Sequence, residues 1–149
     1  MQNKKPYYIS TAIAYASAIP HIGNVYEAIL ADAIARFKRL DGYQVYFQTG
    51  TDEHGLKIET KAKAQSTDPQ TYVNQISDEI KRIYGLVDIS YDKFVKTTDA
   101  HHKKSVQKIF DKLLEQDDIY LGTYQGWYSV SEESYIQEKD IVDGKGPQG

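Results

Sequence analysis

Two short loops in this sequence carry the residue types that could do chemistry. The first is Pro20-His21-Ile22-Gly23-Asn24. A histidine precedes a glycine that lets a ligand approach the backbone, and the next stretch is strongly helical. The first turn of a helix presents unpaired N–H groups and the positive end of its dipole, so the occupant these features favour is an anion such as a nucleotide phosphate. The second loop is Thr49-Gly50-Thr51-Asp52-Glu53-His54-Gly55. Its glycines permit a tight bend, and the Asp52 carboxylate can accept hydrogen bonds from an ammonium group in the same crevice. Together the loops suit an amino acid beside a nucleotide.

The elements around the loops must place them side by side. Tyr7 to Ala14 is aromatic and β-branched with no charge and reads as a strand buried on both faces. A loop from Tyr15 to Gly23 leads to a helix from about Asn24 to Leu40. Ile29, Ala33, Phe37 and Leu40 form its expected buried face, Arg36, Lys38 and Arg39 lie opposite, and Asn24 with Glu27 resembles a capping box at its start. After Asp41-Gly42, Tyr43 to Thr49 reads as a second strand, completing a right-handed β-loop-α-β unit. Gly50 to Gly55 is then a loop at its carboxyl end. Both loops would lie at the carboxyl ends of adjacent parallel strands, where open α/β sheets bind ligands.

Further along, Leu56 to Gln65 is a polar helix, and Asp68-Pro69 caps and starts another with a Val73, Ile76, Ile80, Ile83 stripe, ending near Gly85. Tyr91 to Lys96 is a short candidate strand. Thr98 or Asp99 caps a helix whose buried side would be Val106, Ile109, Phe110, Leu113 and Leu114. After Asp117-Asp118 the pattern changes to short aromatic β pieces, Ile119 to Thr123 and Trp127 to Val130, and the end from Asp143 is turn-like. The fold class is α/β: a Rossmann-type parallel sheet over residues 1–116, followed by the start of a β-rich module over 117–149.

Composition narrows the function classes. The formal net charge of -3 gives no global attraction to nucleic acid. With Cys at 0, disulfides, thiolate metal sites and cysteine nucleophiles are excluded, and the cytoplasm is the expected compartment. Neither a signal-peptide pattern at the start nor an apolar run of roughly 18 residues is present, so no membrane association is expected. Asp52, Glu53 and His54 are neighbours whose side chains diverge, which leaves no closed ligand set and no expected metal. His101-His102 reads as a solvated or locally packed pair.

Several blocks in order carry a family resemblance. Tyr8-Ile9-Ser10-Thr11-Ala12-Ile13-Ala14-Tyr15, then Pro20 to Asn24, Ala31 to Phe37, Gly42-Tyr43, Gly50 to Gly55 and Gly126-Trp127-Tyr128-Ser129-Val130 resemble the methionyl-tRNA synthetase family over nearly the whole chain. The resemblance implies the first half of a class I synthetase nucleotide-binding fold and the start of its connective insertion. It also implies activation of methionine by ATP, as the Mg2+ complex, and transfer of the adenylate to tRNA(Met) by the full-length parent. His21 would hold the phosphates, with Gly23 and Asn24 completing the ATP site. Asn24 stands where many members have a second histidine, and its amide can still donate. The Ile13 carbonyl and the Asp52 carboxylate would bind the methionine ammonium, with Tyr15 covering the pocket.

Ser129 and Glu132 lie where zinc-bearing relatives have a cysteine pair, and Gly144 to Gly149 lie near the position of a second pair, so no zinc is expected. A Lys-Met-Ser-Lys-Ser-type loop and the second half of the fold are absent, so the chain alone is not expected to aminoacylate. Two other readings stand beside this one: a non-catalytic nucleotide- or amino-acid-binding or interaction module derived from such an enzyme, and a different adenylylating enzyme with the same His-x-Gly-x loop. The Gly50 to Gly55 block argues against the second. The oligomeric state is left open.

Overall fold

The computed structural model describes residues 4–147. Residues at both ends, including Gln148 and Gly149 of the turn-like terminus, lie outside them. The chain forms two compact units, Met1–Gln107 and Lys108–Gly149.

The first unit is built on a parallel sheet. Its elements run β1 (Pro6–Ser10), β2 (Ala14–Tyr15), α1 (Ile22–Leu40), β3 (Gln44–Asp52), α2 (Leu56–Ala64), α3 (Pro69–Leu86) and β4 (Lys93–Lys96), and α4 (Ala100–Glu115) crosses into the second unit. β3 is central, with β1 and β2 succeeding one another along one side and β4 on the other, all parallel to it. This is the Rossmann-type arrangement that alternating strands and helices dictate, since parallel neighbours need crossover connections.

The expected strand over Tyr7 to Ala14 is two strands broken by a bulge. Ser10 pairs with Gln48 and Ala14 with Thr51, so Thr11, Ala12 and Ile13 stand opposite Thr49 and Gly50 alone. The Ala12 N–H leaves the ladder and donates to Glu27 Oε1 of α1 at 2.8 Å. One extra residue bends the strand and re-aims Ala14 and Tyr15 beyond it. Nor is β1 buried on both faces: Tyr7 and Ile9 are half-buried, whereas Pro6, Tyr8 and Ser10 are exposed.

Helix α1 buries a different face from the one its large apolar residues suggest. Ala28, Ala31, Asp32 and Ala35 are buried, and Ile29, Ala33, Phe37 and Leu40 are exposed. Small side chains let the helix backbone approach Phe47 of β3 closely, and α3 joins the same core through Ile80 and Tyr84. The charged residues are likewise not solvated bystanders. Arg39 donates to Ser90 Oγ at 2.6 Å and Asp92 Oδ2 at 3.0 Å, and Asp92 Oδ2 also accepts from the Phe47 N–H at 2.7 Å. Asp32 accepts from the Ser90 N–H at 2.7 Å and from Arg36 Nε at 2.5 Å.

Asp68 caps α3 through the Thr71 N–H, with Pro69 in its first turn as the sequence predicts, and the core side of that helix is Tyr72, Val73, Ser77, Ile80 and Tyr84. Ile76 and Ile83 are only half-buried. Tyr72 and Val73 close a second core with Ala16, Ile58 and Ala62.

Two expectations fail around the second unit. The apolar stripe of α4, Val106, Ile109, Phe110, Leu113 and Leu114, is exposed, and no residue of that helix is buried. Periodicity fixes which side chains share a face but not whether anything covers it. Ile119 to Thr123 forms no strand, with Leu121 fully exposed, because none of the described residues pairs with it. The β-structure is a hairpin of β5 (Trp127–Ser129) and β6 (Ser134–Ile136). A tight turn then joins Val142 to Lys145 across Asp143 and Gly144, both at positive φ, which is what an Asp-Gly pair favours.

Candidate functional site

The two loops meet the sheet at its carboxyl edge. His21, not Asn24, is the N-cap of α1: His21 Nδ1 accepts from the Gly23 N–H at 3.0 Å. Asn24 lies one turn in and closes the cap in the reverse direction, its Oδ1 accepting from the His21 N–H at 3.3 Å. Gly23 matters for space, since a Cβ there would stand 2.9 Å from the imidazole. With Nδ1 accepting, the neutral ring carries its proton on Nε2, which is then a donor.

The second loop is shorter than the sequence suggests. Gly50, Thr51 and Asp52 belong to β3, because β4 pairs with it as far as Thr51 and β2 carries the pairing on to Asp52. Gly50 therefore makes no bend. A Cβ on it would stand 1.9 Å from the Val95 carbonyl oxygen, so its role is close contact with β4. Gly55, at φ 131, is the true turn glycine.

Tyr15 and Asp52 are register partners at the last rung of the sheet, and the Asp52 carbonyl accepts from the Ala16 N–H at 2.8 Å. Parallel register puts their side chains on one face. Ile13, exposed, sits on the bulge just before them. The connection to His21 is fastened at the Ser17 carbonyl, which accepts from Lys61 Nζ at 2.7 Å and from the Tyr72 hydroxyl at 2.8 Å. Thus Ile13, Tyr15 and Asp52 form one group, and His21, Gly23 and Asn24 form another on the next helix.

The surroundings of Asp52 were not legible in the sequence. A cavity of 390 Å³ beside Asp52 is lined by His54, Thr97, His102 and Lys103, and of the His101-His102 pair His101 is exposed and His102 half-buried. His54 Nδ1 lies 3.0 Å from Thr97 Oγ1. Glu53, by contrast, turns inward and is buried. Among the described residues no three His, Cys, Asp or Glu side chains converge in a way that could hold a metal.

In the second unit, Ser129 Oγ accepts from the Glu132 N–H at 3.3 Å. Those residues meet Gly146, where a Cβ would stand 2.5 Å from Glu132 Oε1. They adjoin a cleft of 560 Å³ lined by Trp127, Tyr128 and Ile141.

A parallel α/β sheet, with a histidine-capped helix and a carboxylate at its carboxyl edge, defines a Rossmann-type fold. Residues 7–149 match the family of class I (M) tRNA synthetases, and the chain belongs to that family. It is 50% identical to the methionine--tRNA ligase of Lactiplantibacillus plantarum, over 99% of this chain and 23% of that protein. It is 54% identical to the methionine--tRNA ligase of Caldanaerobacter subterraneus, over 97% of this chain and 23% of that protein. Among solved structures it resembles Mycobacterium tuberculosis methionyl-tRNA synthetase in complex with methionyl-adenylate, with a TM-score of 0.88 and 47% identity over 94% of this chain and 28% of the other. The chain thus spans about a quarter of the length of these relatives.

Proposed function

We propose that this chain is the N-terminal part of a methionine--tRNA ligase, supplying the ammonium-binding and phosphate-binding edges of the adenylate site. The observation that carries this reading is the Tyr15–Asp52 pair at the carboxyl end of the sheet, one loop away from the helix capped by His21. The methionine carboxylate attacks the α-phosphorus of ATP in line and pyrophosphate leaves, with ATP carrying Mg2+. Charge spreads over the phosphate oxygens, so preorganised donors are what the protein contributes. His21 Nε2–H and the Asn24 amide serve there, and Gly23 keeps room for the ring. Asp52 and the Ile13 carbonyl hold the ammonium, and Tyr15 covers it.

In this reading residues 1–116 are the first half of the catalytic domain and 117–149 the beginning of its connective insertion. Residues 117–149 offer zinc no thiolate, and Ser129 Oγ accepts a backbone N–H, which supports a metal-free start to the insertion. Transfer to tRNA(Met) belongs to the complete polypeptide, in the cytoplasm. No helix of the described residues is long and apolar enough to cross a membrane. The exposed large side chains of α1, among them Ile22, Tyr26, Leu30 and Phe37, support a part of a larger fold, since such patches mark surfaces that something covers.

Methionine-dependent ATP–pyrophosphate exchange by the complete ligase tests the assignments. Asp52→Ala removes charge-assisted hydrogen bonds of about 1.5–3 kcal/mol, so the KM for methionine rises roughly 10- to 100-fold while that for ATP stays within about twofold. His21→Ala lowers kcat by about 100-fold or more with little change in either KM. Equal losses for both ligands with Asp52→Ala would overturn its assignment. Full activity in both variants would overturn both assignments, and no exchange by the unsubstituted complete polypeptide would favour a module that has lost the chemistry.

A further inference from the structure

Glu53 comes directly after Asp52, yet its side chain is fully buried. A buried carboxylate is costly unless its oxygens are satisfied, and here donors from several elements converge on it. Oε1 accepts from Thr51 Oγ1 of β3 at 3.0 Å and from Ser77 Oγ of α3 at 2.5 Å, with Lys96 Nζ of β4 at 3.5 Å. Oε2 accepts from Thr98 Oγ1, in the connection between β4 and α4. The Glu53 N–H donates to Thr97 Oγ1 at 2.8 Å, the same hydroxyl that His54 Nδ1 meets. A carboxylate has about four acceptor positions, which is what such a set of donors requires.

The consequence falls on Asp52. Its carbonyl is held by the Ala16 N–H, and its C-terminal neighbour is locked into the core by β3, α3 and β4. Asp52 ends β3, where successive side chains alternate, and Glu53 bonds to the inward side chain of Thr51, so Asp52 between them faces the other way. The Asp52 side chain has little other restraint: its Oδ1 meets the His54 N–H at a long 3.4 Å. We infer that Glu53 is a positioning residue, whose buried carboxylate aims the Asp52 carboxylate at the substrate ammonium. This rests on the proposed reading of Asp52.

The test uses the complete ligase, with Glu53→Gln, Asp52→Asn and the double variant assayed for methionine-dependent ATP–pyrophosphate exchange. Glutamine keeps the shape of the side chain but turns an NH2 toward hydroxyl and ammonium donors. A 1 Å misplacement near a reacting group can cost about 100-fold, and a partial one is expected to raise the KM for methionine about tenfold, with the KM for ATP within about twofold. Because Glu53 acts through Asp52, the double variant should be no worse than Asp52→Asn alone. A merely structural role would not give that non-additivity. Multiplying effects in the double variant, or equal changes in both KM values with Glu53→Gln, would overturn the inference while leaving Asp52 in its role. An unchanged methionine KM in Asp52→Asn would overturn the ammonium reading and this inference with it. If Glu53→Gln does not accumulate in soluble form, Thr98→Val, which removes the donor to Oε2, takes its place. A methionine-specific rise of about threefold is then expected, and no rise would refute the inference.

Discussion

Adding one methyl group at Gly50 tests how the end of β3 is packed. Gly50 is the register partner of Val95, and a Cβ built on it would lie 1.9 Å from the Val95 carbonyl oxygen, 2.9 Å from its carbon and 3.1 Å from its nitrogen. Comfortable contact for such atoms is about 3.5 Å, so β4 would have to retreat by about 1.5 Å at Val95. The obstacle is backbone, which has no rotamer to escape into. A retreat of that size takes the neighbouring ladder bonds beyond hydrogen-bonding distance, at about 1 kcal/mol each, in addition to about 1–3 kcal/mol for overpacking. Gly50→Ala is therefore expected to destabilise by about 3–5 kcal/mol, a large part of the roughly 5–15 kcal/mol that holds a domain together. Gly85→Ala is the internal control, because nothing lies within 4 Å of a Cβ there and the residue is in α3. That change should stabilise by about 0.5–1 kcal/mol through lower unfolded-state entropy. Urea denaturation monitored by circular dichroism reads both. Gly50→Ala within about 0.5 kcal/mol of the parent, or equal losses at the two positions, would refute the packing account.

The buried Asp32 gives a pH prediction. Burial alone raises its pKa, but hydrogen bonds from Ser90 and Arg36, with the Arg36 charge, hold it below the ordinary value. A depressed folded-state pKa contributes stability above the unfolded-state pKa and loses it as pH falls through the folded one. Urea midpoints should thus fall more steeply with acid in the parent chain than in Asp32→Asn below about pH 4, and parallel curves would contradict this. The isolated chain should show no methionine-dependent ATP–pyrophosphate exchange near the rate of the complete enzyme, because the reacting groups need both halves of the site at fixed geometry. Exchange at that rate would refute it. After dialysis against zinc, elemental analysis should find far less than one equivalent bound, and stoichiometric zinc would overturn the metal-free reading of Ser129 and Glu132.

Local chemistry and periodicity made much of this chain legible. The Asp68-Pro69 start of α3, the alternation of strands and helices in the first unit and the Asp143-Gly144 turn arise from rules that act within a few residues. His21, Gly23, Asn24 and Asp52 stood out for the same reason, although their individual roles in the two loops did not. Tertiary structure decided what faces what. The bulge at Thr11–Ile13 exists because Glu27 of α1 captures the Ala12 N–H, and α1 presents alanines to the sheet because Phe47 and Tyr84 fill the space beneath it. Gly50 became a packing residue once β4 was beside it, and Glu53 became a buried anchor once Ser77, Lys96 and Thr98 surrounded it. Each partner lies far along the chain from the residue it constrains. Sequence spacing encodes the geometry of one element, whereas burial and hydrogen-bond partners are set by elements that meet only when the chain has folded.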